Sequence, residues 1–103
     1  MNIPDSVRIG GVEYPVKRVP NLNDNEHVAY GQINFDDCVI ELSSTHGLGH
    51  EKQCQTLWHE ILHGIINHAG LVVEDEERVV EMFAKGIYQV LQDNGKRLFD
   101  LEE

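Results

Sequence analysis

A change of hydrophobic periodicity near His50 divides the 103-residue chain into two unlike halves. Before it, short runs rich in β-branched residues alternate with Gly, Asn and Asp, which is typical of β-hairpins. These runs span residues 7–9, 12–19, 28–34 and 38–42, with a turn at about Asp36 and Asp37. After it, apolar residues recur every three or four positions, as in amphipathic helices. We therefore expect one α+β domain (1–103), in which a small antiparallel sheet of three to four strands (1–43) packs on an antiparallel pair of helices (50–69 and 74–93).

Each predicted helix carries an apolar stripe and a signal at its end. The stripe of the first helix comprises Trp58, Ile61, Leu62, Ile65, Ile66 and Ala69, and Gly70 is the stop signal. The second helix begins with four acids at 74–77, which suit the helix dipole, and Asn94-Gly95 predicts its end. Its stripe comprises Val80, Phe83, Ala84, Ile87 and Leu91. The short link at 70–73 predicts that the two helices run antiparallel.

Charge and composition argue against several functional classes. A formal net charge of −10 disfavours nucleic-acid binding, because that function needs a concentrated Lys/Arg face. No apolar run approaches the length of a membrane span, and the N-terminus lacks the layout of a signal peptide. Two cysteines, Cys38 in a predicted strand and Cys54 on the apolar side of the first helix, are too few for a disulfide scaffold. We expect a soluble cytoplasmic protein that binds neither nucleic acid nor membranes.

The first predicted helix contains the motif His59-Glu60-x-x-His63. Histidines at i and i+4 share one helix face and can bind one ion, and Glu60 flanks that ion as a general base for a zinc-bound water. Such a motif also arises by chance, with both histidines as surface groups. Here the polar residues Thr56 and Asn67 lie on the same arc as the motif, opposite an apolar stripe centred on Trp58 and Ile65, and this context favours a zinc site.

A catalytic zinc needs a third protein ligand, and the second helix is its expected source. In an antiparallel hairpin, Glu77 lies near the level of His63 and Glu81 near the level of His59. Glu77 is therefore the expected ligand, with Glu81 accepting a hydrogen bond from an imidazole N–H. Two alternatives remain: Glu81 is the ligand, or both acids are surface charge.

The other chemically interesting residues have weaker patterns. Tyr88 follows Glu77 and Glu81 on one stripe and is a candidate transition-state donor, as are Tyr30 and His27. His46 and His50 suggest either a second metal site or loop and helix-cap roles. His68 is interpreted as structural or partly exposed. The strand at 28–34 is a candidate edge along which a peptide or protein substrate could bind.

The segment Thr56-Leu57-Trp58-His59-Glu60-Ile61-Leu62-His63-Gly64-Ile65, together with the acidic start of the next helix, resembles small gluzincin metallopeptidases. The closest likeness is to the ImmA/IrrE-like group and its short phage- and prophage-encoded forms. The resemblance implies a zincin-like fold, zinc bound by His59, His63 and Glu77, Glu60 as the base, and hydrolysis of peptide bonds. This chain has Glu81 where the family pattern has an Asp or Asn after the ligand.

Three functional hypotheses follow. The first is a zinc-dependent metallopeptidase. The main alternative is a non-catalytic zinc-binding interaction module that keeps the fold, and a metal-free interaction protein ranks third. A metal-dependent nuclease is disfavoured, because no basic strip accompanies the acidic ligands. The sequence leaves the substrate and the oligomeric state open.

Overall fold

A computed structural model describes residues 1–20, 22–24, 27–28, 30–44 and 47–99 of the chain. Its elements, in chain order, are β1 (Ser6–Ile9), β2 (Val12–Val19), β3 (Asn23–Asp24), β4 (His27–Val28), β5 (Gly31–Asn34), β6 (Val39–Ser43), α1 (His50–Ala69) and α2 (Glu76–Phe99). The predicted α+β class is confirmed. β3 and β4 pair as a separate short ribbon.

The main sheet has four strands in the order β1-β2-β6-β5, with β5 at one edge. The hairpin partners β1–β2 and β5–β6 are antiparallel as predicted, but β2 and β6 are parallel. The prediction of an entirely antiparallel sheet was therefore wrong for this pair. The reason is that the β5–β6 hairpin turns the chain back before β6 adds to β2. The fully buried Ile40 and Leu42 of β6 then occupy the middle of the sheet.

Two turns position the strands. Gly10 and Gly11 connect β1 to β2 with φ of 57° and 81°, a conformation that favours glycine. The β5–β6 hairpin turns over residues 35–38, as predicted, and the Asn34 side chain accepts the Asp37 backbone N–H at 2.9 Å. Cys38 ends this turn with φ of 53°, so its predicted place in a strand was wrong.

The predicted strand at 28–34 is also interrupted. β4 ends at Val28 and β5 begins at Gly31, with a bend at Tyr30 between them. The edge available to a peptide is accordingly limited to β5.

α1 has the predicted bounds and ends at the predicted glycine. Gly70 adopts φ of 70°, its N–H bonds the Asn67 carbonyl, and the Leu71 N–H bonds the Ile66 carbonyl. This pattern is a Schellman motif, in which a left-handed residue satisfies the last carbonyls of a helix.

The buried face of α1 differs from the predicted stripe. The helix lies between the sheet and α2, and its buried residues are Cys54, Thr56, Leu57, Glu60 and Gly64. Leu57 packs with Ile9, Tyr14, Ile40 and Leu42 in the core. The predicted centre of the stripe was wrong, since Trp58 is only partly buried and Ile65 is 45% exposed. Gly64 permits the close approach to the sheet: a Cβ there would lie 2.8 Å from Cδ1 of Ile9.

α2 begins two residues later than predicted and continues past the predicted stop at Asn94-Gly95. The Asn94 side chain donates to the Val90 carbonyl at 3.0 Å within the continuing helix, and Lys96 and Arg97 in the last turn suit its dipole. Among the described elements α2 packs only on α1. One face alone is therefore buried, by Val80, Ala84 and Tyr88. The predicted burial of Phe83 was wrong, because this side chain is 62% exposed and lies outside the face that packs on α1.

Candidate metal centre

His59 and His63 lie one turn apart on α1 and direct their rings toward the start of α2. Their Nε2 atoms are 3.2 Å apart, and the ring planes are inclined by 62°. Both side chains are mostly buried, with 13% and 16% of their surface exposed. Helix packing thus limits the freedom of the two rings before any ion binds.

Glu77, in the first turn of α2, joins the two histidines. Its Oε1 lies 2.6 Å from Nε2 of His59, and its Oε2 lies 3.0 Å from Nε2 of His63. One nitrogen of each histidine and one carboxylate oxygen lie within 4.8 Å of one another, which is a grouping able to hold a metal ion. The structure therefore brings together the three side chains that the sequence predicted as ligands.

The remaining ring nitrogens contact two further carboxylates. Nδ1 of His59 lies 2.9 Å from Oε1 of Glu81, and Nδ1 of His63 lies 2.6 Å from Oε2 of Glu76. When each Nδ1 carries the proton and donates it to its carboxylate, each Nε2 has a lone pair directed at the common point. Two carboxylates of α2 thus fix the tautomer and orientation that a metal ligand needs.

Glu76 is the site residue that sequence reasoning missed. The sequence predicted Glu77 and Glu81 near the histidines but no role for Glu76, which contacts His63. The available signal was chemical: if Glu81 serves His59, then His63 needs an acceptor of its own, and the same acidic run supplies it.

Glu81 also responds to the charges around it. Partial burial raises the pKa of its carboxyl, but the hydrogen bond with His59 and the nearby positive groups outweigh burial and lower the pKa below its ordinary value. The positive groups include Lys85 and Lys52, and the Lys85 Nζ lies 3.5 Å from the carboxylate. Glu81 is therefore ionised near neutral pH and can accept a hydrogen bond from the imidazole N–H of His59.

Two of the three grouped side chains, His59 and Glu77, line a cleft of about 600 Å³ between α1, α2 and the start of β5. Its walls are formed by Tyr30, Gly31, Lys52, Gln55, Thr56, His59, Glu60, Asp75, Glu77, Arg78, Glu81, Ala84 and Lys85. Glu60 is only 6% exposed and faces this cleft. The Glu77 side chain, in contrast, is 73% exposed, so the centre is protected on the α1 side and open to solvent on the α2 side.

Several other predicted site residues lie elsewhere. Tyr88 is buried against α1 and does not line the cleft; burial raises the pKa of its hydroxyl, and nearby Cys54 and Glu51 raise it further. Tyr30 does line the cleft, with the Lys52 ammonium 5.2 Å from its ring centre. His46 and the His27 side chain lie outside the described residues.

The remaining described histidines and the two cysteines lie outside the metal centre. His50 bonds the Met1 carbonyl through Nε2, and the His68 ring covers Gly10. Both cysteines are free thiols. Burial raises the pKa of the Cys54 thiol, which opposes a role as nucleophile.

In the described ranges, no helix combines the length and the hydropathy that crossing a lipid bilayer requires. No protein-family model matches the chain, and neither does any curated protein or solved structure.

Proposed function

We propose that this protein is a zinc-dependent metallopeptidase that hydrolyses peptide bonds in the cleft between α1 and α2. The observation that carries the proposal is the convergence of two imidazole nitrogens and the Glu77 carboxylate. His59, Glu77 and Glu60 also line one cleft. The likeness of the His59–His63 segment to ImmA/IrrE-like gluzincins supports the same assignment. Cys38 and Cys54 are free, and the cytoplasm is the compartment we propose.

The donor set suits zinc. Ligand atoms at Zn–N and Zn–O distances of about 2.0–2.1 Å in a tetrahedron are separated by roughly 3.3 Å. The separations here are 3.2 Å between the two Nε2 atoms and 2.6 and 3.0 Å from these atoms to the Glu77 oxygens, so small shifts would accommodate the ion. Zinc in this position would supply Lewis acidity and lower the pKa of a bound water.

Glu60 is the proposed general base. It follows His59 directly on α1 and lines the cleft from a buried position. We assign it two proton transfers: it accepts a proton from the attacking water and then delivers a proton to the amine nitrogen of the leaving fragment. His59 and His63 are the proposed metal ligands, because Glu81 and Glu76 hold their rings in the orientation that binds metal.

The edge strand β5 is the proposed binding site for an extended peptide or protein substrate. Gly31, at its start, lines the cleft, so a peptide pairing with β5 would place a bond near the metal ligands. Tyr30 lies at the same end and is our candidate donor to the developing oxyanion, in place of Tyr88.

The exposure of Glu77 favours an enzyme over a structural zinc module. Structural zinc sites are closed by four protein ligands, whereas catalytic sites keep one position open for water or substrate. Only three ligand groups converge among the described residues, and one of them faces solvent.

The test combines metal analysis with a peptide library. Purified wild-type protein should contain one zinc per chain and cleave a subset of peptides. Glu60→Gln should keep the zinc and lower the cleavage rate at least about 100-fold, because the base is lost while the ligands remain. Glu51→Gln, an exposed substitution on the same helix, is the matched control and should leave the rate unchanged.

Two outcomes would contradict the proposal. Substoichiometric metal in protein prepared without chelator would exclude a zinc enzyme. Full zinc occupancy without cleavage of any peptide would instead favour the binding module.

A further inference from the structure

The face of α2 directed away from α1 is apolar, and no described element covers it. Met82, Phe83 and Val90 are each more than half exposed, and they form a shallow groove with Gly86, Ile87 and Leu91. Contiguous apolar surface of this kind marks a contact site. We propose that this face is a homodimer interface, in which α2 packs antiparallel against α2 of a second copy.

The distribution of charge along α2 selects this partner and this direction. The helix and the residues just before it begin with Glu74, Asp75, Glu76 and Glu77, and its last turn carries Lys96 and Arg97. An antiparallel pair places the acidic start of each helix beside the basic end of the other, whereas a parallel pair places acids beside acids. Asp75 and Glu77 line the cleft, so the complementarity that a second copy provides at each end comes from Glu74 and Glu76 opposite Lys96 and Arg97.

Gly86 lies in the middle of the groove. A Cβ built on it would meet no atom within 4 Å, so nothing within the chain requires glycine at this helical position. Glycine weakens a helix, but it also allows the backbone of another element to approach closely. A two-fold axis between Gly86 and Ile87 would bring the helices together there and pack Phe83 on Val90 of the second copy, since these residues lie two turns apart near the centre of the face.

The interface and the cleft occupy different sides of α2. The α2 residues that line the cleft are Glu77, Arg78, Glu81, Ala84 and Lys85, and none of them lines the apolar groove. Dimerisation therefore leaves both clefts open. The inference does not depend on the proposed peptidase activity.

The first test measures molar mass by light scattering and sedimentation. Wild-type protein should have twice the chain mass of 11.7 kDa at micromolar concentrations. Phe83→Glu places a charge at the centre of the interface and should raise the dimer dissociation constant at least 100-fold, with zinc content unchanged. The control is Val72→Glu, which removes a 99% exposed apolar side chain in the link before α2 and should leave the dimer intact.

The second test determines helix direction by cross-linking in a Cys38→Ser background. Phe83→Cys combined with Val90→Cys should form an intermolecular disulfide. Val90→Cys alone should not, because the Cα atoms of its two copies would lie roughly 10 Å apart along the antiparallel pair. A disulfide spans at most about 7 Å between Cα atoms. A monomeric wild type at about 100 μM, a dimer that survives Phe83→Glu, or a cross-link from Val90→Cys alone would each overturn the proposal.

Discussion

The two helices supply the proposed metal ligands under very different packing conditions. α1 packs on β1, β5, β6 and α2, whereas α2 packs on α1 alone among the described elements. The packing of α1 therefore fixes the positions of His59 and His63, while Glu77 depends on a single helix–helix contact and on the polar bonds to the histidines themselves. We therefore predict that folding fixes the α1 half of the proposed centre, and that the α2 half would gain order if the metal binds.

Removal of zinc should have the largest effect and should act mainly on α2. A ligand that binds only the folded state stabilises it by about 4 kcal/mol when its free concentration is 1,000 times its dissociation constant. Without the ion, the first turns of α2 lose the link between Glu77 and the histidines. Hydrogen exchange measured with and without chelator should show the greater loss of protection around residues 76–82, with less change near Leu57.

Glu77→Ala is the control for this experiment, because zinc should then restore little protection to α2. An equal loss of protection in both helices would show that zinc holds the whole domain together. That result would contradict the contrast between a prefolded α1 and a dependent α2.

Substitutions among the acids of α2 should produce the next largest effects. Glu77→Ala removes a ligand and should weaken zinc binding by more than about 100-fold. Glu76→Gln and Glu81→Gln replace the charged acceptors of the imidazole N–H groups with neutral amides, which accept weaker hydrogen bonds, and should weaken zinc binding by about 10- to 100-fold. Competition with a chromogenic chelator would measure all three dissociation constants.

Glu74→Gln is the matched control for the acid series. Glu74 belongs to the same acidic run but is exposed and lies before the helix begins, so its substitution should change zinc affinity little. If Glu81→Gln proved more damaging than Glu77→Ala, Glu81 would be the ligand and Glu77 the supporting carboxylate.

The contrast between the helices also explains which features the sequence could predict. α1 was predicted with its correct bounds, because its stop depends on one residue, Gly70, and on local backbone bonds. The prediction that α2 ends at Asn94-Gly95 was wrong. This stop signal is weak, and the helix continues through Lys96 and Arg97. The parallel pairing of β2 and β6 joins distant segments, and no turn chemistry encodes it.

The candidate metal centre likewise contains residues whose positions the sequence could predict and one whose position it could not. The spacing of His59 and His63 lies within one helix, so sequence periodicity alone places both on one face. Glu77 and Glu81 could be placed by their level along an antiparallel hairpin. The contact of Glu76 with His63 depends on how α2 crosses α1 and on the side-chain direction in its first turn, which the sequence pattern does not determine.

A pair of glycine substitutions should give the smallest effects and the most direct comparison of packing on the two helices. Gly31 of β5 faces α1: a Cβ there would lie 2.6 Å from Cγ2 of Thr56 and 3.1 Å from the backbone oxygen of Glu41. Thr56 cannot easily turn aside, because its hydroxyl donates to the Lys52 carbonyl at 2.7 Å. Gly31→Ala should therefore lower the free energy of unfolding by about 1–3 kcal/mol.

Gly86→Ala makes the same chemical change on the outer face of α2, where an added Cβ meets no atom within 4 Å. In the monomer it should raise the free energy of unfolding by about 0.5–1 kcal/mol, because alanine loses less conformational freedom in a helix. Urea unfolding in a Phe83→Glu background would measure this free energy without a contribution from dimerisation. Changes of opposite sign in the free energy of unfolding would establish that α1 is closely packed by its neighbours while the outer face of α2 is free. Equal destabilisation by the two substitutions would show that this face is already covered within one chain.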